Sequence, residues 1–211
     1  MARIALFSEF NVSRETLDRL KIYRDLLICW QKRINLVGPS TLADIENRHF
    51  ADCLQIAPLL HDSETVADLG SGAGFPGIII AMLLAERNTG SVHLIESVGK
   101  KCAFLREVIR ETGLRETVVA ITVHHGRIED ELPAIGDVSL ITARALAPLA
   151  QLFQLTEGRI TGETRALFQK GQRFSEEVAQ AHSGWSFTEA IHPSKVDSGS
   201  VIIELHNVVR T

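Results

Sequence analysis

The chain has 211 residues, 45% of them hydrophobic and 23% charged, with a net charge of −4 and an isoelectric point near 6.1. That length suffices for one substantial core with an appended element, and no stretch approaches the roughly 18 to 20 uncharged apolar residues of a membrane span. An acidic balance gives no global signature of a duplex binder, so any nucleic-acid contact has to be local, and Lys100, Lys101, Arg106 and Arg110 form one such concentration of positive charge.

The opening "MARIALFSEF" has a short apolar run broken by a charge and no small-residue cleavage site, which predicts a cytoplasmic protein. The sequon-like "NVS" at Asn11 then carries no weight. From Ser13 to Ile34, Leu20, Tyr23, Leu27, Trp30 and Ile34 recur at three- and four-residue steps, the stripe of an amphipathic helix capped by Ser13 and ended by "VGP". A second helix is expected after Thr41, where "TLAD" has capping-box spacing, with Pro58 bending or stopping it.

Beyond "HDSE" the rhythm changes. "TVADL", "VHLIE", "VVAITV", "VSLIT" and "RALFQK" read as strands, with helices near 76–86, 100–112 and 145–156 between several of them. Such alternation predicts an α/β fold, a mostly parallel sheet covered on both faces. The tail, "WSFTEAIHPSKVDSGSVIIELHNVV", holds two extended runs around a loop and predicts an antiparallel hairpin at a sheet edge. Residues 1–63 are thus expected as a helical extension on a core of residues 64–211.

Cys29, Cys53 and Cys102 lie far apart with no CxxC, and read as structural thiols. His124 and His125 would point to opposite faces of a strand, so no metal is expected.

The stretch "VADLGSGAGFPGIII" carries the chemistry. Gly70, Gly72 and Gly74 follow the first strand, at the end of an open parallel sheet where ligands bind, and bare backbone there lets a ligand reach the amides. Residues Gly72 to Gly77 also spell GxGxxG, so an NAD-dependent oxidoreductase is an alternative; the Walker ending Gly-Lys-Ser/Thr is absent. Asp68, at the strand end, would repel a pyrophosphate but could hold the amino group of a cationic ligand. Glu96 ends the next strand, where a carboxylate can accept both hydroxyls of a ribose. Two acidic strand ends around a glycine turn describe a site for adenosine with a positive, amino-acid-like tail, which S-adenosyl-L-methionine fits better than NAD.

From Trp30 to Gly171 the motifs "INLVG", "RHFADCL", "DLGSGAGFPG", "LIESVGKKCAFL", "GRIED", "TARALAPL" and "QKG" follow in order. In this series the chain resembles the class I methyltransferases, and within them the RsmG (GidB) family of small-subunit rRNA guanine-N7 methyltransferases. Cys53 and Gln31 stand where that family more often has serine and asparagine. The resemblance implies a class I, Rossmann-like fold with a seven-stranded sheet, and methyl transfer from S-adenosyl-L-methionine to N7 of one guanine of 16S rRNA, guanine 527 in conventional rRNA numbering.

It further implies that Gly70, Ser71, Gly72, Gly74 and Phe75 line the cofactor site, with Asp68 and Glu96 beside them. Ile128 and Glu129 would flank the adenine, although Glu129 also reads as a solvated helix-start residue. Arg144 would sit between cofactor and substrate as the positioning residue, with no catalytic base required. Arg144, Lys170, Lys100, Lys101 and His49 are the expected RNA contacts. For Lys170 an ordinary strand-end lysine, and for His49 with Asp52 an ordinary helix surface, remain open. The implied partner is 16S rRNA within the small ribosomal subunit or an assembly intermediate, approached by a monomer with no membrane association. A non-catalytic assembly factor is the further alternative.

Overall fold

The computed structural model describes residue 10 and residues 12–211; the opening run through Glu9, and Asn11, lie outside the described residues. The first element is helix α1 (Arg14–Gln31). Ser13 caps it, its Oγ accepting the Thr16 amide, while the Ser13 amide donates to Glu86. Leu20, Tyr23 and Leu27 are buried as the stripe requires. Ile34 lies beyond the helix, which ends earlier than "VGP": the Gln31 Oε1 accepts the amides of Leu36 and Val37, and its Nε2 donates to the Val37 carbonyl, folding the chain back at once.

The expected second helix is a composite. A 3₁₀ turn spans Pro39–Asp44, a widened π turn spans Glu46–Ala51, and only α2 (Asp52–Leu54) is α-helical. The capping box does not form, because the Thr41 hydroxyl donates to the Gly38 carbonyl and bonds the ring of His49. Pro58 falls in a further 3₁₀ turn, Ala57–Leu59.

Then β1 (Thr65–Leu69), α3 (Gly77–Glu86), β2 (Ser91–Glu96), α4 (Gly99–Glu111), β3 (Ala120–His125), α5 (Ile128–Ala134), β4 (Leu140–Arg144), α6 (Leu149–Leu155), β5 (Arg165–Lys170), α7 (Phe174–Ala181), β6 (Trp185–Pro193) and β7 (Val201–Arg210) alternate along the chain. The sheet order is β3-β2-β1-β4-β5-β7-β6; β1 to β5 run parallel, while β7 pairs antiparallel with both β5 and β6. Strand order reverses between β1 and β4, and a crevice opens there at the carboxyl ends.

Two expected strands are displaced. "VVAITV" and "VSLIT" each begin two residues too early, since pairing starts at Ala120 against Ser91 and at Leu140 against Val66. Val119 and Val138 are buried before their strands begin, so apolarity overstated the strand. Arg144 is consequently the last residue of β4. The helix expected from 145 starts at Leu149: Ala145 is left-handed, at φ 52°, and Pro148 disfavours helix in the residue before it.

Every residue from Gly77 to Ala85 in α3 is buried, as expected of a helix that is apolar all round. It lies in one core with Leu20, Tyr23 and Leu27 of α1, Phe50, and Phe104 of α4. The opposite face of the sheet packs Leu132, Phe153, Ala181 and Trp185 against Leu69, Ile95 and Phe168. The N-terminal helices therefore share their core with the sheet's central helix, which positions them over the glycine turn. No described helix is long and apolar enough to cross a membrane.

Candidate functional site

The glycine turn is built from both sides. Gly74 has φ 95°, and a Cβ there would stand 2.6 Å from Ile78 Cγ1 and 2.7 Å from the Tyr23 hydroxyl, so only glycine fits. The Tyr23 hydroxyl donates to the Ala73 carbonyl, and Ser71 binds backward through its amide to Ile95 O at 2.9 Å and through Oγ to Asp68 O at 3.0 Å. Tyr23 was not among the expected site residues. It is the chain's one tyrosine, and a hydroxyl on an otherwise apolar stripe was the available signal.

Glu96 ties the turn to β2. Its Oε2 accepts the Gly72 amide at 2.9 Å and its Oε1 the Val98 amide at 2.7 Å. A carboxylate has about four acceptor sites, so two remain for the hydroxyls of a ribose. A Cβ on Gly72 would meet only the Gly70 carbonyl oxygen, at 3.6 Å, which leaves the outer face of the turn open to a ligand. These residues fit the adenosine and amino-acid portions of S-adenosyl-L-methionine.

Asp68 lies near the end of β1. It is fully buried beneath the turn, with Oδ1 accepting the Thr142 hydroxyl at 2.9 Å and Oδ2 unpartnered among the described residues, 2.6 Å from where a Cβ on Gly77 would be. Burial raises its pKa to about 6. It lies beneath the start of α3, close against Gly77. Ile128 is half-buried at the start of α5, and Glu129 is exposed with only a 3.6 Å approach to Arg127.

Arg144 joins the sheet to the N-terminal layer. Its Nε lies 3.0 Å from Asp52 Oδ2, Nη2 donates to the Arg48 carbonyl at 2.7 Å, and Nη1 donates to His49 Nδ1 at 2.9 Å. The guanidinium carbon stands 5.7 Å from the Phe75 ring centroid, and His49 stacks on the same ring at 5.0 Å and 14°. Three of the five guanidinium N–H groups are thus committed, leaving two for a ligand. Asp52 also accepts from Gln55 and Gln169. His49, buried, and Asp52, half-buried, are therefore partners of Arg144, not a solvated helix surface.

Because an arginine only donates, His49 Nδ1 accepts, and Nε2 carries the ring proton to Thr41 Oγ1 at 2.8 Å. Burial first, then the charges of Arg144 and Arg48, lower the His49 pKa to about 4, with Asp44 opposing. The unfolded chain binds this proton near pH 6.5 and the folded chain does not, so the contribution is complete above pH 6.5 and lost as pH falls toward 4. Asp52 and Asp68, both raised by burial, act with the opposite sign. The stability difference between the native protein and His49→Asn, from urea titrations, is expected to shrink by up to about 3 kcal/mol over that window. A pH-independent difference would mean that His49 is not held neutral.

A cavity of about 440 Å³ opens beside Arg144, lined among others by Arg48, His49, Asp52, Lys170, Arg173 and Asp197. Lys170 lines it but is already engaged: its Nζ donates to Ala147 O at 2.6 Å and to Glu177 Oε2 at 2.7 Å, and the residue is 9% exposed. Two of its three ammonium donors are thus engaged within the protein at the cavity wall. Lys170→Met is expected to cost about 1–3 kcal/mol in thermal unfolding, with part regained by adding Glu177→Gln; an unchanged Michaelis constant for RNA would remove Lys170 from the RNA contacts. Lys100 is exposed and Lys101 half-buried in the first turn of α4, away from this cavity's lining. Arg110 pairs with Glu107 and Glu111, and Arg106 donates to Val123 O, so the basic segment contributes fewer free charges than its sequence suggests. Of the cysteines, Cys53 and Cys102 are buried, and Cys29 is exposed rather than structural.

The family model described as rRNA small subunit methyltransferase G matches residues 16–202. The chain belongs to this family. A relative from Brucella ovis named ribosomal RNA small subunit methyltransferase G is 47% identical over 199 residues, covering 94% of this chain and 91% of its own. Among solved structures, MtNAS in complex with MTA and tNA aligns over 89% of this chain and 70% of its own with a TM-score of 0.60 and 14% identity. The precorrin-6y C5,15-methyltransferase of Geobacter metallireducens aligns over 82% and 91% with a TM-score of 0.53 and 12% identity. At such identities these structures speak to the fold, which is that of Rossmann-like methyltransferases, as the motif series implied.

Proposed function

We propose that the protein transfers the methyl group of S-adenosyl-L-methionine to N7 of one guanine in 16S rRNA, the position named by the family resemblance. The observation that carries this is the junction at the crevice. A glycine turn pinned by Glu96 adjoins Arg144, whose two uncommitted N–H groups border a cavity rimmed by Arg48 and Arg173.

The sulfonium cofactor supplies an electrophilic methyl group. Guanine N7 has a free lone pair, so no side chain has to remove a proton before attack. What the chain supplies is alignment, which contributes on the order of 7–11 kcal/mol when reacting atoms are held in line. Glu96 takes the ribose hydroxyls and the turn orients the amino-acid portion. Arg144 takes a phosphate or the guanine O6 with its remaining donors, while Ile128 and Glu129 border the adenine. Positive charge passes from sulfur to the purine, and the carboxylates of Asp52, Glu177 and Asp197 among the cavity's arginines help the site tolerate it. A base reaching such a cavity has to lie in a loop or be turned out of its stack. We read the protein as a cytoplasmic monomer acting on the small subunit or an assembly intermediate, with Thr41, Arg48, His49 and Asp52 of the N-terminal layer completing the cavity.

The test is nucleoside mass spectrometry after incubation with S-adenosyl-L-methionine and small subunits lacking native methylation, with naked rRNA in parallel. One mapped 7-methylguanosine is the expected product, and the better substrate shows what is recognised. No incorporation into either, with cofactor binding intact, would overturn the reading in favour of an assembly factor.

A further inference from the structure

A second concave surface, of about 320 Å³, lies between the end of α1 and the start of α4, lined by Cys29, Trp30, Arg33, Ile34, Lys100 and Ala103. Trp30 is half-buried, its ring braced by Phe104 at 5.6 Å and 60°, and it still lines the groove. Arg33 and Lys100 line it, with Lys32 and Lys101 next to them along the chain, and none of these four side chains pairs with another described residue. By contrast, Arg24, Arg87, Arg110, Arg144, Arg165 and Lys170 all have carboxylate partners.

Two of these cations also sit where the fold disfavours them. Lys100 and Lys101 occupy the first turn of α4, which contains no acidic residue, against the positive end of the helix dipole. An anion from outside relieves that repulsion. The same turn follows directly from Glu96, whose Oε1 holds the Val98 amide, so whatever binds the groove lies beside the cofactor end of the crevice.

We infer that this groove binds an unpaired stretch of the RNA substrate, with a base stacked on Trp30 and adjacent phosphates held by Arg33 and Lys100. An aromatic face flanked by unpaired cations suits unstacked bases on a charged backbone, and a duplex offers it no free base face. The inference rests on the reading that the substrate is RNA, and goes beyond the cavity at Arg144 by adding a second point of attachment.

The test uses the full chain, with fluorescence anisotropy of a short fluorescein-labelled single-stranded RNA, a duplex of the same sequence as control, and methylation of undermethylated small subunits alongside. Arg33→Glu with Lys100→Glu is expected to weaken single-strand binding roughly tenfold or more and to flatten the logarithmic salt dependence by about 1.4, the slope of two lost phosphate contacts. Trp30→Leu is expected to weaken it about fivefold or more while Trp30→Phe restores most of it, a distinction that lost packing alone would not produce. Affinity for S-adenosylhomocysteine should stay unchanged, which keeps the result legible if Trp30→Leu loosens the fold.

Unchanged RNA affinity and salt slope in the charge-reversal variant would overturn the inference, as would equal dependence on Trp30 for the duplex. If the unaltered protein methylates subunits and the variants bind as it does, the groove falls and the methyltransferase reading stands. If RNA binding depends on the groove but no methyl group is transferred, the groove stands and the methyltransferase reading falls.

Discussion

Arg144→Ala is expected to lower methyl transfer by about 100-fold or more, because in the proposed function the residue sets the geometry between cofactor and substrate, where small misplacements carry that cost. Initial rates on undermethylated small subunits measure it. The substitution also leaves Asp52 as a half-buried carboxylate without its cation and His49 Nδ1 without its donor, so unfolding stability should fall by about 3 kcal/mol. The two effects separate through Arg144→Lys. A lysine keeps the charge beside Asp52 but cannot reach His49, the Arg48 carbonyl and Asp52 together from one planar fork, so stability should recover further than turnover. Unchanged turnover in Arg144→Ala would remove the residue from the reaction.

Glu96→Ala is expected to weaken S-adenosylhomocysteine binding by roughly 100-fold or more, as read by calorimetry, since it removes charge-assisted acceptors for a ribose together with two backbone anchors. The Gly72 and Val98 amides lose their partner, and the turn that orients the rest of the cofactor loosens with them. Glu96→Gln retains one acceptor oxygen and should fall between. Cofactor affinity equal to that of the unaltered protein would show that Glu96 serves the turn and not the ligand.

Much of the scaffold was legible because local chemistry and global fold agree. "TVADL" and "RALFQK" are strands at the expected residues, and α3 follows the glycine turn as expected. The errors have local causes. Val119 and Val138 are apolar for packing before their strands begin, and Thr41 has the spacing of a helix cap but spends its hydroxyl on Gly38 and His49. Asp68 and Lys170 were read as reaching toward ligands, and both also bond within the protein, Asp68 accepting from Thr142 and Lys170 donating to Glu177.

By itself the sequence determined the alternation of strand and helix, the glycine turn, the acidic ends of β1 and β2 and the family to which the chain belongs, because each is written in residues close along the chain. The tertiary structure alone decided which charges are free. Arg144 meets His49 across 95 residues, Lys170 meets a carbonyl 23 residues away, and Lys100 is left beside Trp30 with no partner among the described residues. A charge's availability depends on what the fold brings within hydrogen-bonding distance and on how much water remains there, and neither is a property of neighbours in sequence.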